Sequence, residues 1–177
     1  MPTKILIAYC TRSGSTREVA IEMGRIMRDA GVQVEVKAMA EVQSLADEQA
    51  VILGGALYVG RFAKQFHRFL MRFARELTKT HPWIFVLGPT ENVPKHFATA
   101  DERARKELEK YSWLHPADVR IFGGKFDPKN VNLPFPFNLA MKLPANPLHK
   151  MPASDIREWD WIRSWAKSIA EQLNAVV

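Results

Sequence analysis

Five short apolar runs, separated by longer amphipathic stretches, constrain this chain more than any other feature. The runs are residues 4–9 (KILIAY), 32–37 (VQVEVK), 50–54 (AVILG), 83–88 (WIFVLG) and 119–124 (VRIFGG). Three are nearly continuous in β-branched, leucine and aromatic residues, as central strands covered on both faces require. The run at 32–37 alternates polar and apolar residues, which predicts an edge strand.

The intervening stretches carry helical periodicity. Residues 16–30 place Val19, Ala20, Met23, Ile26 and Met27 on one face, with Gly31 as the expected C-terminal stop. Residues 62–78 repeat Phe62, Phe66, Phe69, Leu70, Phe73 and Leu77 and predict one helix. Residues 97–112 have Asp101 and Glu102 early and Lys110 late, as the helix dipole prefers. Residues 154–177 predict a last helix opened by Ser154 and Asp155, with Glu158 near a capping-box position. Its apolar side takes in Ile156, Trp159, Ile162, Trp165, Ala166, Ile169 and Leu173, with Trp161 facing away. Strands alternating with helices predict an α/β fold around a parallel sheet.

One segment departs from this rhythm. Residues 128–152 hold Pro128, Pro134, Pro136, Pro144, Pro147 and Pro152, six of the eleven prolines. They exclude a long helix, so an excursion at about 127–153 is expected within a single domain spanning 1–177. Its Phe135, Phe137, Leu139 and Met141 suit either a membrane interface or a cover over the sheet edge and pocket.

Composition narrows the function classes. Hydrophobic residues make up 47% of the 177 positions, which excludes a disordered chain. A single cysteine, Cys10, excludes a disulfide framework and is expected to be buried and structural. The five histidines show no ligand spacing, so no metal site is expected. No apolar run reaches the roughly 18 residues of a membrane span, and Met1–Lys4 leads into a strand without a secretion signal. A cytoplasmic location is expected. The net charge is +6, and it is not gathered in a tail. It favours an anionic partner, and without a recognised binding motif nucleic acid is not expected.

The most informative stretch is Thr11-Arg12-Ser13-Gly14-Ser15-Thr16, between the first strand and the first helix. Hydroxyls surround one glycine where a helix N-terminus aims backbone N–H groups at an anion. A dinucleotide fingerprint needs further glycines, and a Walker loop needs Gly-Lys. A tyrosine-phosphatase loop counted from Cys10 would put its arginine where Thr16 stands.

The remaining pattern, T-x-[ST]-G-x-T, resembles the phosphate loop of the flavodoxin family. The resemblance implies a three-layer sandwich with a five-stranded parallel sheet in the order 2-1-3-4-5. It also implies FMN as cofactor, with Thr11, Arg12, Ser13, Gly14, Ser15 and Thr16 around its phosphate. Two further loops would flank the flavin: Ala56, Leu57, Tyr58, Val59 and Gly60, with Tyr58 a candidate to stack on the ring, and Pro89, Thr90, Glu91 and Asn92. No side chain is assigned as catalytic, because the flavin carries the electrons.

Many flavodoxins are acidic, and this chain is basic. The stretch 11–20 and the excursion after Gly123-Gly124 look closer to the menaquinone-dependent protoporphyrinogen oxidase branch. That branch passes electrons from a tetrapyrrole of haem biosynthesis to a membrane quinone through FMN. The resemblance implies an FMN oxidoreductase with an anionic small-molecule or quinone-type substrate and a peripheral contact with the inner membrane face. The alternative is a non-catalytic electron carrier that serves a redox partner protein. Arg61, Lys64, Arg68, Arg72 and Arg75 form a basic stripe opposite the phenylalanines. It suits a solvated face or, at its Arg61–Lys64 end, an anion dock beside the flavin.

Overall fold

β1 (Lys4–Tyr9) occupies the centre of the fold, paired in parallel with β2 (Gln33–Ala38) on one side and β3 (Ala50–Tyr58) on the other. The computed structural model describes residues 4–130, 139, 143 and 146–175. β5 (Trp83–Leu87) follows β3 in the sheet, and β6 (Asp118–Phe122) closes it, giving the parallel order β2-β1-β3-β5-β6. Counted over these five strands, this is the expected order 2-1-3-4-5. A two-residue strand, β4 (Arg61–Phe62), folds back antiparallel on the end of β3.

Alternate residues of each strand point to opposite faces, and each face has its own core. On one face Leu6, Val51, Leu53, Ile84 and Val86 pack with residues of α2 (Lys64–Arg72), α3 (Ala74–Thr80) and α4 (Pro94–Leu108). On the other, Ile5, Ile7, Ile52 and Phe85 meet Met23 and Met27 of α1 (Ser15–Asp29) and Ile162 and Ile169 of α5 (Trp159–Asn174). Both faces being covered explains why the central strands read as continuous apolar runs. Gly54 is required by this packing: a Cβ there would lie 2.2 Å from Cζ of Phe85.

Several boundaries differ from expectation. The stretch 62–78 is not one helix. Arg61 and Phe62 are drawn into β4, and Phe73, at φ −111° and ψ 25°, separates α2 from α3. The basic stripe and the phenylalanine stripe nevertheless face opposite ways: Arg61, Lys64, Arg68, Arg72 and Arg75 are exposed, and Phe66, Phe69 and Phe73 are buried. α4 begins at Pro94, which suits a first helical turn, and ends at Leu108.

The last helix begins at Trp159 rather than Ser154. Ser154 and Asp155 form β8, which pairs antiparallel with β7 (Lys125–Phe126). Glu158 does not cap its own helix; its carboxylate accepts the Gly123 N–H at 2.9 Å. Pairing with a distant strand thus overrides the local capping signal. Trp161 is 41% exposed, as its phase predicts, while its ring edge meets Phe122.

Within the 127–153 excursion, residues 131–138, 140–142, 144 and 145, with Phe135, Phe137 and Met141, lie outside the described residues; a short 3-10 turn spans Pro147–Lys150. Among the described residues no helix is long and apolar enough to cross a membrane.

Candidate functional site

The sheet order reverses direction between β1 and β3, which opens a crevice beyond the carboxyl ends of the strands. A cavity of about 430 Å³ lies there. Its walls come from the loop after β1, the end of β3, the end of β5 and the segment after β6.

The loop after β1 is held from both sides. The Cys10 N–H donates to Gly54 O at 2.8 Å, joining the start of the loop to β3. The Cys10 thiol is 4% exposed and donates to Gln65 Oε1 at 3.4 Å; burial pushes its pKa up, so it is a structural group. Thr11 Oγ1 accepts the Gly14 N–H at 2.9 Å, and Gly14 takes φ +88°, a conformation that favours glycine. The Arg12 N–H donates to the Tyr58 hydroxyl at 3.1 Å.

α1 then begins without a side-chain cap. Its first intrahelical bond runs from the Glu18 N–H to Gly14 O at 3.1 Å. By helix geometry, the N–H groups of Ser15, Thr16 and Arg17 therefore project from the helix start. Thr16 is completely buried, and its Oγ1 has no hydrogen-bond partner among the described residues; neither does the buried Nε of Arg12. An unpartnered buried hydroxyl costs about 1–3 kcal/mol, and this one stands beside the free N–H groups of the helix start.

Arg157 lies behind this loop, and nothing in the sequence pattern singled it out. Its side chain is 3% exposed, with Nη1 2.8 Å from Glu18 Oε2 and Nη2 2.5 Å from Asp155 Oδ2. Nη1 also donates to Ser15 O at 3.3 Å, and the guanidinium sits 4.6 Å from the centroid of the Trp159 ring. The Arg157 hydrogen bonds hold the Asp155 carboxyl below its ordinary pKa. Lys125 Nζ adds a 3.4 Å contact with Glu18 Oε1. The β7–β8 pair is thereby fastened to the first turn of α1.

Of the sequence-predicted residues, Ser13, Ser15, Ala56, Leu57, Tyr58, Val59 and Thr90 line the cavity. Thr11, Arg12, Gly14 and Thr16 build the loop but are not among the lining residues. Gly60, Pro89 and Glu91 line an adjoining cleft that shares Thr90, and Asn92 lines neither space. The sequence reading missed Glu18, Leu87 and Gly88, and the whole fourth wall: Gly124, Lys125, Phe126, Asp127 and Asn130. The rule that ligands bind at strand carboxyl ends applies equally to the loop after β6, and Gly123-Gly124 was its signal. A Cβ on Gly124 would lie 2.9 Å from Gly88 O, so only glycine lets these two loops touch.

The Tyr58 phenol is pushed to a higher pKa by burial, against the opposing effect of the Arg12 N–H. Val59 and Gly60 take φ 53° and 75° and form the two-residue turn between the paired residues Tyr58 and Arg61. Valine is disfavoured at positive φ, and this one is 61% exposed at the cavity.

The fold and this site define a doubly wound α/β domain with an anion-receptive loop at its switch point. The chain belongs to the Flavodoxin domain family, which matches residues 6–137. It is 23% identical, over 94% of its own length and 94% of the relative's, to the protoporphyrinogen IX dehydrogenase (quinone) of Escherichia coli strain K12. It is 29% identical to the enzyme of the same name from Leishmania major, over 68% of this chain and 54% of that protein. Among solved structures it resembles a flavodoxin from the domain Archaea, with a TM-score of 0.57, 15% identity and coverage of 97% and 99%. Flavodoxin 1 from Bacillus cereus gives a TM-score of 0.57 at 14% identity, covering 99% of each chain.

Proposed function

We propose that the chain binds FMN and acts as an oxidoreductase that takes electrons from a protoporphyrinogen-type donor and passes them to a quinone. The observation that carries the cofactor is the buried, unpartnered Thr16 hydroxyl at the start of α1. The donor set fits a phosphate: hydroxyls at 11, 13, 15 and 16, projecting N–H groups and a helix N-terminus. The cavity of about 430 Å³ falls within the usual size of small-ligand sites, about 300–1,000 Å³.

FMN, when bound, supplies one- or two-electron transfer at its ring. The chain does the remaining work. Ser13, Ser15 and Thr16 would hold the phosphate, and Gly14 would let the backbone approach. The loops carrying Ala56, Leu57, Tyr58, Val59 and Gly60 and carrying Pro89, Thr90, Glu91 and Asn92 would flank the flavin. Gly124, Lys125, Phe126, Asp127 and Asn130 form a further wall of the cavity. Arg157 holds the first turn of α1 in place through Glu18 and Ser15. No side chain is assigned as an acid or base.

The relatives named protoporphyrinogen IX dehydrogenase (quinone), which include one aligned over 94% of this chain, support this donor and acceptor. A net charge of +6 suits a donor with carboxylates. A cytoplasmic chain meeting a quinone at the inner membrane face is consistent with both. The flavodoxin structures resembling this chain favour a second reading, an electron carrier without small-molecule turnover.

An absorption spectrum with and without added FMN tests the cofactor, and the Thr16→Glu variant tests the loop, because a carboxylate would repel the phosphate. A colourless protein that ignores FMN would overturn the cofactor. Oxidation of protoporphyrinogen with menadione as acceptor separates the two readings: turnover supports the enzyme, and its absence in FMN-loaded protein supports the carrier.

A further inference from the structure

His96, Thr99, Ala100 and Arg103 fall on one stripe of α4, at spacings that stack side chains on a helix face. They line a cleft of about 480 Å³. Leu57, Gly88 and Thr90 line both this cleft and the cavity described above, so the two spaces adjoin.

Arg103 sets the chemistry of the cleft. Its side chain lies against Gly60 of the β3–β4 turn, where a Cβ would come 2.9 Å from Nη1 and 3.3 Å from Cζ. The guanidinium therefore lies beside the end of β3. Arg103 has no ion pair or hydrogen bond among the described residues. Its neighbour Arg105 differs, with Nε 2.8 Å from Asp101 Oδ2. The one carboxylate lining the cleft, Glu91, lies 3.6 Å from His96 Nδ1 rather than against Arg103.

An unpaired guanidinium offers a planar fork of N–H donors that matches a carboxylate. A cleft of this size adjoining the cavity suits a small molecule. We propose that Arg103 forms an oxyanion subsite that seats a carboxylate of a small-molecule redox substrate next to the flavin cavity. That the ligand is a redox substrate rests on the flavin reading; recognition of a carboxylate by Arg103 stands on the cleft alone.

The test compares sodium 2-naphthoate with neutral 2-naphthalenemethanol, aromatic probes of similar size, by calorimetric titration of the full chain with and without FMN. The carboxylate should bind at least about tenfold more tightly, a difference of about 1.4 kcal/mol. Arg103→Gln should abolish the preference, and Arg103→Lys should restore part of it. Arg75→Gln, exposed on α3, should leave the preference unchanged. Equal binding of the two probes, or a preference that survives Arg103→Gln, would overturn the subsite. FMN binding is read separately by quenching of flavin fluorescence. A chain that ignores FMN but shows the Arg103-dependent preference keeps the subsite and loses the flavin. A chain that binds FMN without that preference keeps the flavin and loses the subsite.

Discussion

The Tyr58 hydroxyl accepts the Arg12 N–H at 3.1 Å, and the Arg12 guanidinium lies 5.1 Å from the centroid of the same ring. Two contacts thus tie the end of β3 to the loop after β1 and occupy one face of the ring. Tyr58 is a clamp on the loop as well as a wall of the cavity. Tyr58→Phe should cost about 1 kcal/mol in denaturant unfolding, because the Arg12 N–H loses its acceptor while the ring contact remains. FMN affinity should weaken only severalfold. A loss of all FMN binding would mean that the hydroxyl contacts the ligand itself.

Thr16 should show effects of opposite sign in the free and the loaded protein. Its Oγ1 is buried without a partner, so Thr16→Val should leave the flavin-free chain as stable or up to about 1 kcal/mol more stable. The same change should weaken FMN by about tenfold or more, as a hydrogen bond to a charged phosphate is lost. Unfolding curves without FMN and a fluorescence titration with it measure the two halves. A destabilised flavin-free protein would show that the hydroxyl has a structural partner.

Val59 sits at φ 53° in a turn that favours asparagine or glycine at its first position. The left-handed conformation costs a β-branched residue about 1–2 kcal/mol. Val59→Asn creates an Asn-Gly turn and should raise stability by about 1 kcal/mol. Because Val59 lines the cavity, the same variant should bind FMN less tightly. An unchanged thermal midpoint would rule out the strain.

Glu22 links α1 to α5. Its carboxylate accepts from Arg25 Nε and Nη2, both at 2.9 Å, and from Arg163 Nε at 2.6 Å. The Arg25 and Arg163 hydrogen bonds lower its pKa from 4.5 to about 2. A carboxyl with a depressed folded-state pKa contributes stability that is complete above its unfolded value, here 4.5, and lost as pH falls towards about 2. Glu22→Gln should therefore be less stable than the parent at neutral pH and lose less on acidification. Urea midpoints at about pH 7, 4 and 2.5 would show the two curves converging. Parallel curves would show that the contact is open in solution.

Much of the architecture was legible in the sequence because it depends on local pattern. The five apolar runs marked the five parallel strands, and the edge character of β2 showed in its alternation. The hydroxyl-rich stretch 11–16 marked the loop between β1 and α1 that borders the cavity. The end of β3 was misplaced because its last residues, Gly55 to Tyr58, resemble a turn in composition. They extend as strand because β5 pairs with Gly55 and Ala56 and β4 pairs with Leu57 and Tyr58. The late start of the last helix was hidden for a similar reason: Ser154 and Asp155 pair with Lys125 and Phe126, far away in the chain.

The sequence by itself determined the alternation, the two buried faces and the loop chemistry, since these follow from side-chain periodicity and residue type over short distances. Only the tertiary structure decided that Arg157 would be buried against Glu18 and Ser15, that Gly124 would touch Gly88, and that Arg103 would lie on Gly60. Those contacts join residues 36 to 142 positions apart. Their geometry is set by how the sheet and its covering helices pack as a whole, and no local periodicity encodes it.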